Sequence, residues 1–180
     1  MKGARRLFFA LWPDAAGRQA LLTATAAAVA ASAGRPVPEQ NLHLTLLFLG
    51  SVAPERAAQL PAAARQASAR VPQAQRRLEV ELVRLAHWRD AAVLAALGSA
   101  SAGVEHLAAG LRAAVGPDFR LDVRPFRAHV TVARQVQRAG PLGAIAPVRW
   151  DFDAFALIES RSARGGPLYS VVESFPLVGA

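Results

Sequence analysis

Residues 41–50 read NLHLTLLFLG. Strict alternation puts Leu42, Leu44, Leu46 and Phe48 on one side of a strand and His43, Thr45, Leu47 and Leu49 on the other. So apolar a run predicts a strand packed against a core, yet it holds one of only four histidines in the chain. Residues i and i+2 of a strand share a face, so His43 and Thr45 present an imidazole and a hydroxyl side by side. Residues 128–134, AHVTVAR, repeat the arrangement with His129 and Thr131. The threonines are Thr23, Thr25, Thr45 and Thr131, so two of the four histidines stand two places ahead of a threonine. Random placement rarely does this.

Two such strands suit one kind of chemistry. Imidazole gives or takes a proton near neutral pH. A pair can act as base and acid on opposite sides of one reacting centre. A hydroxyl beside each can donate to an oxygen that gains charge in the transition state. A phosphodiester matches these demands, and the scheme needs no metal. Neither strand adds a cysteine or a nearby carboxylate, so a metal site is not expected. Alternation favours Arg127 over Arg134 as a phosphate partner, because Arg127 falls on the His129 face. Trp12, Phe48, Phe126 and Tyr169 are of a type that stacks on bases, though such positions are commonly core. His87 reads as a rim residue and His106 as an exposed one.

Working outward, residues 5 to 11 predict a strand and Asp14 caps a helix to about Ala33. The strand at 41–49 is stopped by Gly50. Pro54 opens a helix to about Arg70 with a kink or break at Pro61. RRLEVELVRL alternates as a half-buried strand, and AAVLAAL at 91–97 pairs with it. A helix runs from Ser101 to Gly116-Pro117. FRLDV and RAHVTVARQV predict strands, residues 138–148 a loop, and WDFDAFALIES with PLYSVVESFPL a hairpin across Arg161–Gly166. Short turns between many strands imply α+β with largely antiparallel sheets. No linker composition divides the chain, and residues 1–180 read as one domain, with a faint duplication carrying one His-x-Thr strand in each half.

The chain has 180 residues, 53% of them apolar, and no cysteine. That excludes a disordered chain, a disulfide scaffold and a thiolate metal site, and suits a reducing cytoplasm. The net charge is +8, and Lys2 is the sole lysine. Arginine forks onto phosphate oxygens, so an anionic partner such as nucleic acid is favoured. The apolar run Leu7–Trp12 is shorter than the ~7–15 residues of a signal core. ALLTATAAAVAASAG predicts a packed helix and no membrane anchor.

The motifs NLHLTLLFLG and RPFRAHVTVAR resemble the paired signatures of the two-histidine phosphoesterases. RLFFALWP and ALIESRSARGGPLYSVVESFPL resemble the opening strand and closing hairpin of their RNA 2′,3′-cyclic phosphodiesterase branch, also called the 2′–5′ RNA ligase family. The resemblance implies a bilobal fold with pseudo-two-fold symmetry about a central cleft. It implies a hydrolase that opens a terminal 2′,3′-cyclic phosphate on RNA to a 2′-phosphomonoester, without a cofactor. His129 would activate water, His43 would protonate the departing 3′ oxygen, and Thr45 and Thr131 would hold phosphate oxygens. The family's arginine falls on Arg134, against the alternation, which requires the strand to end or twist after Thr131. A monomer acting on RNA ends in the cytoplasm, away from membranes, is expected. RNA joining, another cyclic phosphate and a non-catalytic RNA-binding module are the alternatives.

Overall fold

In a computed structural model of the chain, residues 3–117, 119, 121–122, 124–140, 142–164 and 166–177 are described. The elements are β1 (Arg5–Leu11), α1 (Ala15–Ala31), β2 (Arg35–Pro36), β3 (Leu44–Val52), α2 (Pro54–Ala57) and α3 (Leu60–Arg70). Then come β4 (Leu78–Trp88), β5 (Val93–Ala100), α4 (Ala102–Val115), β6 (His129–Arg134), β7 (Ala144–Phe152), β8 (Ala154–Ala163) and β9 (Gly166–Pro176). The strands form two antiparallel sheets, ordered β3-β1-β8-β9 and β2-β6-β5-β4-β7. The fold is α+β, as the sequence predicts.

Local chemistry explains the helices. Asp14 is extended and accepts the Gly17 N–H at 2.7 Å, capping α1. The helix lies against β7, where the Trp150 indole N–H donates to the Gly17 carbonyl at 2.9 Å. A methyl on Gly17 would come 2.9 Å from that indole, so glycine permits the close approach. Proline divides the second helical segment into α2 and α3, with Pro61 in the first turn of α3. α4 packs on α3 and reaches strands of both sheets, among them β3 and β4. One apolar cluster runs through both sheets, from Leu7 and Phe9 of β1 to Val130 and Val132 of β6. Among the described residues no helix is long and apolar enough to cross a membrane.

Several elements depart from the sequence reading. Strand β3 continues past Gly50 to Val52, because Gly50 adopts φ +72° at a register shift and the chain resumes pairing with β1. Residues 144–148, expected as loop, extend β7 along β4, with Val148 opposite Leu82 and Ala144 opposite Arg84. Pro147 is tolerated because β7 is an outer strand. Trp150, Asp151 and Phe152 therefore belong to β7, and the closing hairpin begins at Ala154. Phe119, Leu121 and Asp122 of FRLDV form no strand, since Asp122 bends the chain by accepting from the Arg124 N–H and guanidinium. Arg120 and Val123 lie outside the described residues.

Candidate active site

The two histidine strands lie side by side where the sheets meet, β3 at an edge and β6 beside the two-residue β2. Each carries an irregularity at the same offset. Opposite β1, pairing jumps from Thr45 to Leu47 and leaves Leu46 unpaired. Opposite β5, it jumps from Thr131 to Ala133 and leaves Val132 unpaired. The extra residue is the third after the histidine in both strands. It turns two successive side chains into the core, Leu46 with Leu47 and Val132 with Ala133. The face then flips, so the fifth residue after each histidine points away from the core.

That flip sets the direction of two side chains. Arg134 joins His129 and Thr131 in lining the cleft, as the family position requires, because the alternation that set it on the opposite face fails at Val132, whereas Arg127 precedes the first residue of β6. The Arg127 side chain is exposed and does not line the cleft. Phe48, grouped by alternation with Leu42, Leu44 and Leu46 behind the strand, is instead 45% exposed, with Arg6 4.8 Å above its ring. A further shift that leaves Leu49 unpaired buries Leu49 on the core side.

The cleft is lined by His43, Thr45, His129, Thr131 and Arg134, together with Arg35, Asn41 and Tyr169 and the backbone around Pro36–Pro38 and Gly166-Pro167. Both imidazoles are held identically. His43 Nδ1 lies 2.7 Å from the Asn41 carbonyl, and His129 Nδ1 lies 2.8 Å from the Arg127 carbonyl. A carbonyl only accepts, so Nδ1 carries the hydrogen in each ring. Nε2 is then the proton-exchanging atom on both. Asn41 also donates its buried side-chain amide to the Pro167 carbonyl at 2.9 Å, tying the β8–β9 turn to the His43 strand.

The two environments differ. His43 stacks on Trp12 at 5.3 Å and 9°, tilts against Phe8 at 4.9 Å, and meets the edge of Tyr169 at 5.2 Å. The neighbouring Ala10 and Ala156 are small and buried in the same apolar cluster, which leaves room for these rings. Burial pushes His43 down to about 4, against the pull of the Asn41 carbonyl, and the positive charges of Arg134 and His129 push it further. Among the described residues one aromatic ring meets His129, that of Trp88, at 4.7 Å. It too is lowered, first by burial, opposed by the Arg127 carbonyl, then by the charges of Arg127 and Arg124.

Of the remaining candidates, His87, His106 and Phe126 do not line the cleft. His87 Nε2 bonds the Val136 carbonyl at 3.0 Å, and His106 is exposed beside Gln75. Phe126 packs against the core. Trp12 and Tyr169 flank His43, so their first role is to enclose it. Sequence reasoning missed Asn41 and Arg35. Asn41 sits inside the quoted motif, two residues before His43, and that spacing was the available signal. Among the described residues no three His, Cys, Asp or Glu side chains converge as metal ligands.

Known proteins share this architecture. The RNA 2′,3′-cyclic phosphodiesterase of Thermus thermophilus is 31% identical over 193 residues, covering 97% of this chain and 91% of its own. The Escherichia coli protein of the same name is 31% identical over 182 residues, covering 98% and 99%. The crystal structure of E. coli LigT complexed with 3′-AMP superposes with a TM-score of 0.85 at 28% identity, covering 98% of this chain and 99% of that one. The family model of the 2′-5′ RNA ligase superfamily matches residues 12–164, a span that takes in both histidine strands, and the chain belongs to that superfamily.

Proposed function

We propose that this protein is an RNA 2′,3′-cyclic phosphodiesterase that hydrolyses a terminal cyclic phosphate to a 2′-phosphomonoester by metal-free acid–base catalysis. The observation that carries the reading is the pair of Nε2 atoms, each presented by an Nδ1–H anchored on a carbonyl two residues back, lining one cleft. The names of the two relatives and the LigT complexes with 3′-AMP and with phosphate support it.

In the proposed step His129 Nε2 takes a proton from water as the water oxygen bonds to phosphorus. The bond from phosphorus to O3′ breaks, and His43 Nε2–H gives its proton to O3′. The products are a 2′-phosphomonoester and a free 3′-hydroxyl. The Thr45 and Thr131 hydroxyls donate to the non-bridging oxygens, and Arg134 offsets the charge that gathers on them. The phosphate anion itself counters the repulsion from Arg134 and His129, which favours the protonated His43 that the step requires. The cleft is assembled within one chain around one shared core, which fits a single bilobal domain working as a monomer, and the lack of cysteine suits the reducing cytoplasm.

The test is incubation with an RNA oligonucleotide ending in 2′,3′-cyclic phosphate, with EDTA present. The expected product carries a 2′-phosphate, and His43→Ala and His129→Ala each lose activity by about 100-fold or more. Undiminished turnover in both variants, or dependence on added metal, would overturn the reading.

A further inference from the structure

Arg35 and Arg134 stand directly opposite one another where β2 pairs with β6, and both line the cleft. Like charges directly opposite in a ladder repel. Among the described residues neither arginine has a carboxylate within ion-pair distance, although both line the same cleft. The Arg35 guanidinium lies over the β8–β9 turn, where a methyl built on Gly166 would sit 3.6 Å from one of its terminal nitrogens. That turn is held to the His43 strand by the amide of Asn41. The guanidinium therefore lies at one wall of the cleft, between β2 of one sheet and the β8–β9 turn of the other, with no carboxylate beside it among the described residues.

One phosphodiester carries one negative charge, and Arg134 with the two threonines already addresses it. A second, opposed arginine calls for a second anion. On an RNA 3′ end the nearest other phosphate is the one attached through O5′ of the same ribose. We propose that Arg35 binds that 5′-linked phosphate, so that the cleft selects a cyclic-phosphate nucleotide joined to a phosphate over a bare nucleoside cyclic phosphate. The inference rests on the phosphodiesterase reading. It makes Arg35 a specificity residue and Arg134 the partner of the reacting phosphate.

The experiment compares three substrates: adenosine 2′,3′-cyclic phosphate, the same compound with a 5′-phosphate, and the dinucleotide ApA ending in 2′,3′-cyclic phosphate. The last two share the phosphate on O5′ and differ in whether it is a monoester or a diester. Wild-type kcat/KM is expected to be about 10-fold or more higher on each of them than on the nucleoside. Arg35→Gln collapses that ratio to near one, and Arg35→Lys keeps part of it. Arg134→Gln lowers all three rates and preserves the ratio. A matched melting temperature checks that each variant is folded. An unchanged ratio in Arg35→Gln, or no wild-type preference, would overturn this assignment alone. No hydrolysis of any of the three would overturn the phosphodiesterase reading and this assignment with it.

Discussion

Anion binding in the cleft should protonate His43, and the size of the effect follows from its surroundings. In the free protein burial holds the imidazole at about 4, so keeping a proton on it at pH 7 costs about 4 kcal/mol. A unit negative charge about 4 Å from the ring returns about 4 kcal/mol at an effective dielectric of ~20. The two quantities balance, so a bound anion brings His43 to a point where charged and neutral forms coexist at neutral pH. The stacked face of Trp12 adds to the stability of the imidazolium. Sulfate suits the measurement, because it does not titrate in this range and its two negative charges exceed the single charge of that balance, tipping the ring to the protonated form. Histidine ¹⁵N spectra at pH 7, with and without saturating sulfate, report each ring nitrogen separately. Nδ1 of His43 should remain protonated throughout, held by the Asn41 carbonyl, while Nε2 moves from unprotonated to protonated as sulfate binds. A His43 Nε2 that stays unprotonated in the sulfate complex would refute the argument. So would a ring that titrates at its ordinary value in the free protein.

Acidification should also cost stability through this ring. Its folded-state value is depressed from 6.5 to about 4, so its contribution is present above 6.5 and is lost as pH falls through about 4. Urea unfolding should therefore show a flatter pH dependence between those limits in His43→Asn than in wild type; equal slopes would contradict this. Gly98→Ala should destabilise by about 3 kcal/mol or more, because its methyl would lie 1.6 Å from the Glu81 carbonyl oxygen and force β5 away from β4. Thermal melting checks this, and a shift of under a degree would contradict it. Asn41→Ala leaves the Pro167 carbonyl without its buried partner and should cost about 1–3 kcal/mol in urea unfolding. No loss would contradict it.

Much of the site was legible because period-two patterning survives up to the threonines. His43 with Thr45 and His129 with Thr131 share faces as read, and both pairs reach one cleft. The reading failed one residue later. A bulge carries no distinctive residue here, since Leu46 and Val132 are ordinary strand formers, yet each reverses the side chains that follow it, in β3 until the second shift at Leu49. Arg134 and Phe48 were misplaced by alternation for that reason. Arg35 was invisible because β2 is two residues long and exists only through its pairing with β6. The β7 strand was hidden by Gly and Pro, which mark loops locally but are tolerated on an outer strand whose partner is β4. The aromatic enclosure of His43 draws on Phe8 and Trp12 around β1 and Tyr169 from β9, contacts made by sheet order and absent from any local pattern.

In the proposed mechanism the two histidines divide the work, His129 taking a proton from water and His43 giving one to O3′. An RNA whose terminal cyclic phosphate has sulfur in place of the 3′ bridging oxygen tests that division, because a thiolate leaves without a proton. His43→Ala, inactive on the oxygen substrate, should regain about 100-fold or more on the sulfur substrate, while His129→Ala stays inactive on both. Rescue of His129→Ala in place of His43→Ala, or rescue of neither, would contradict it.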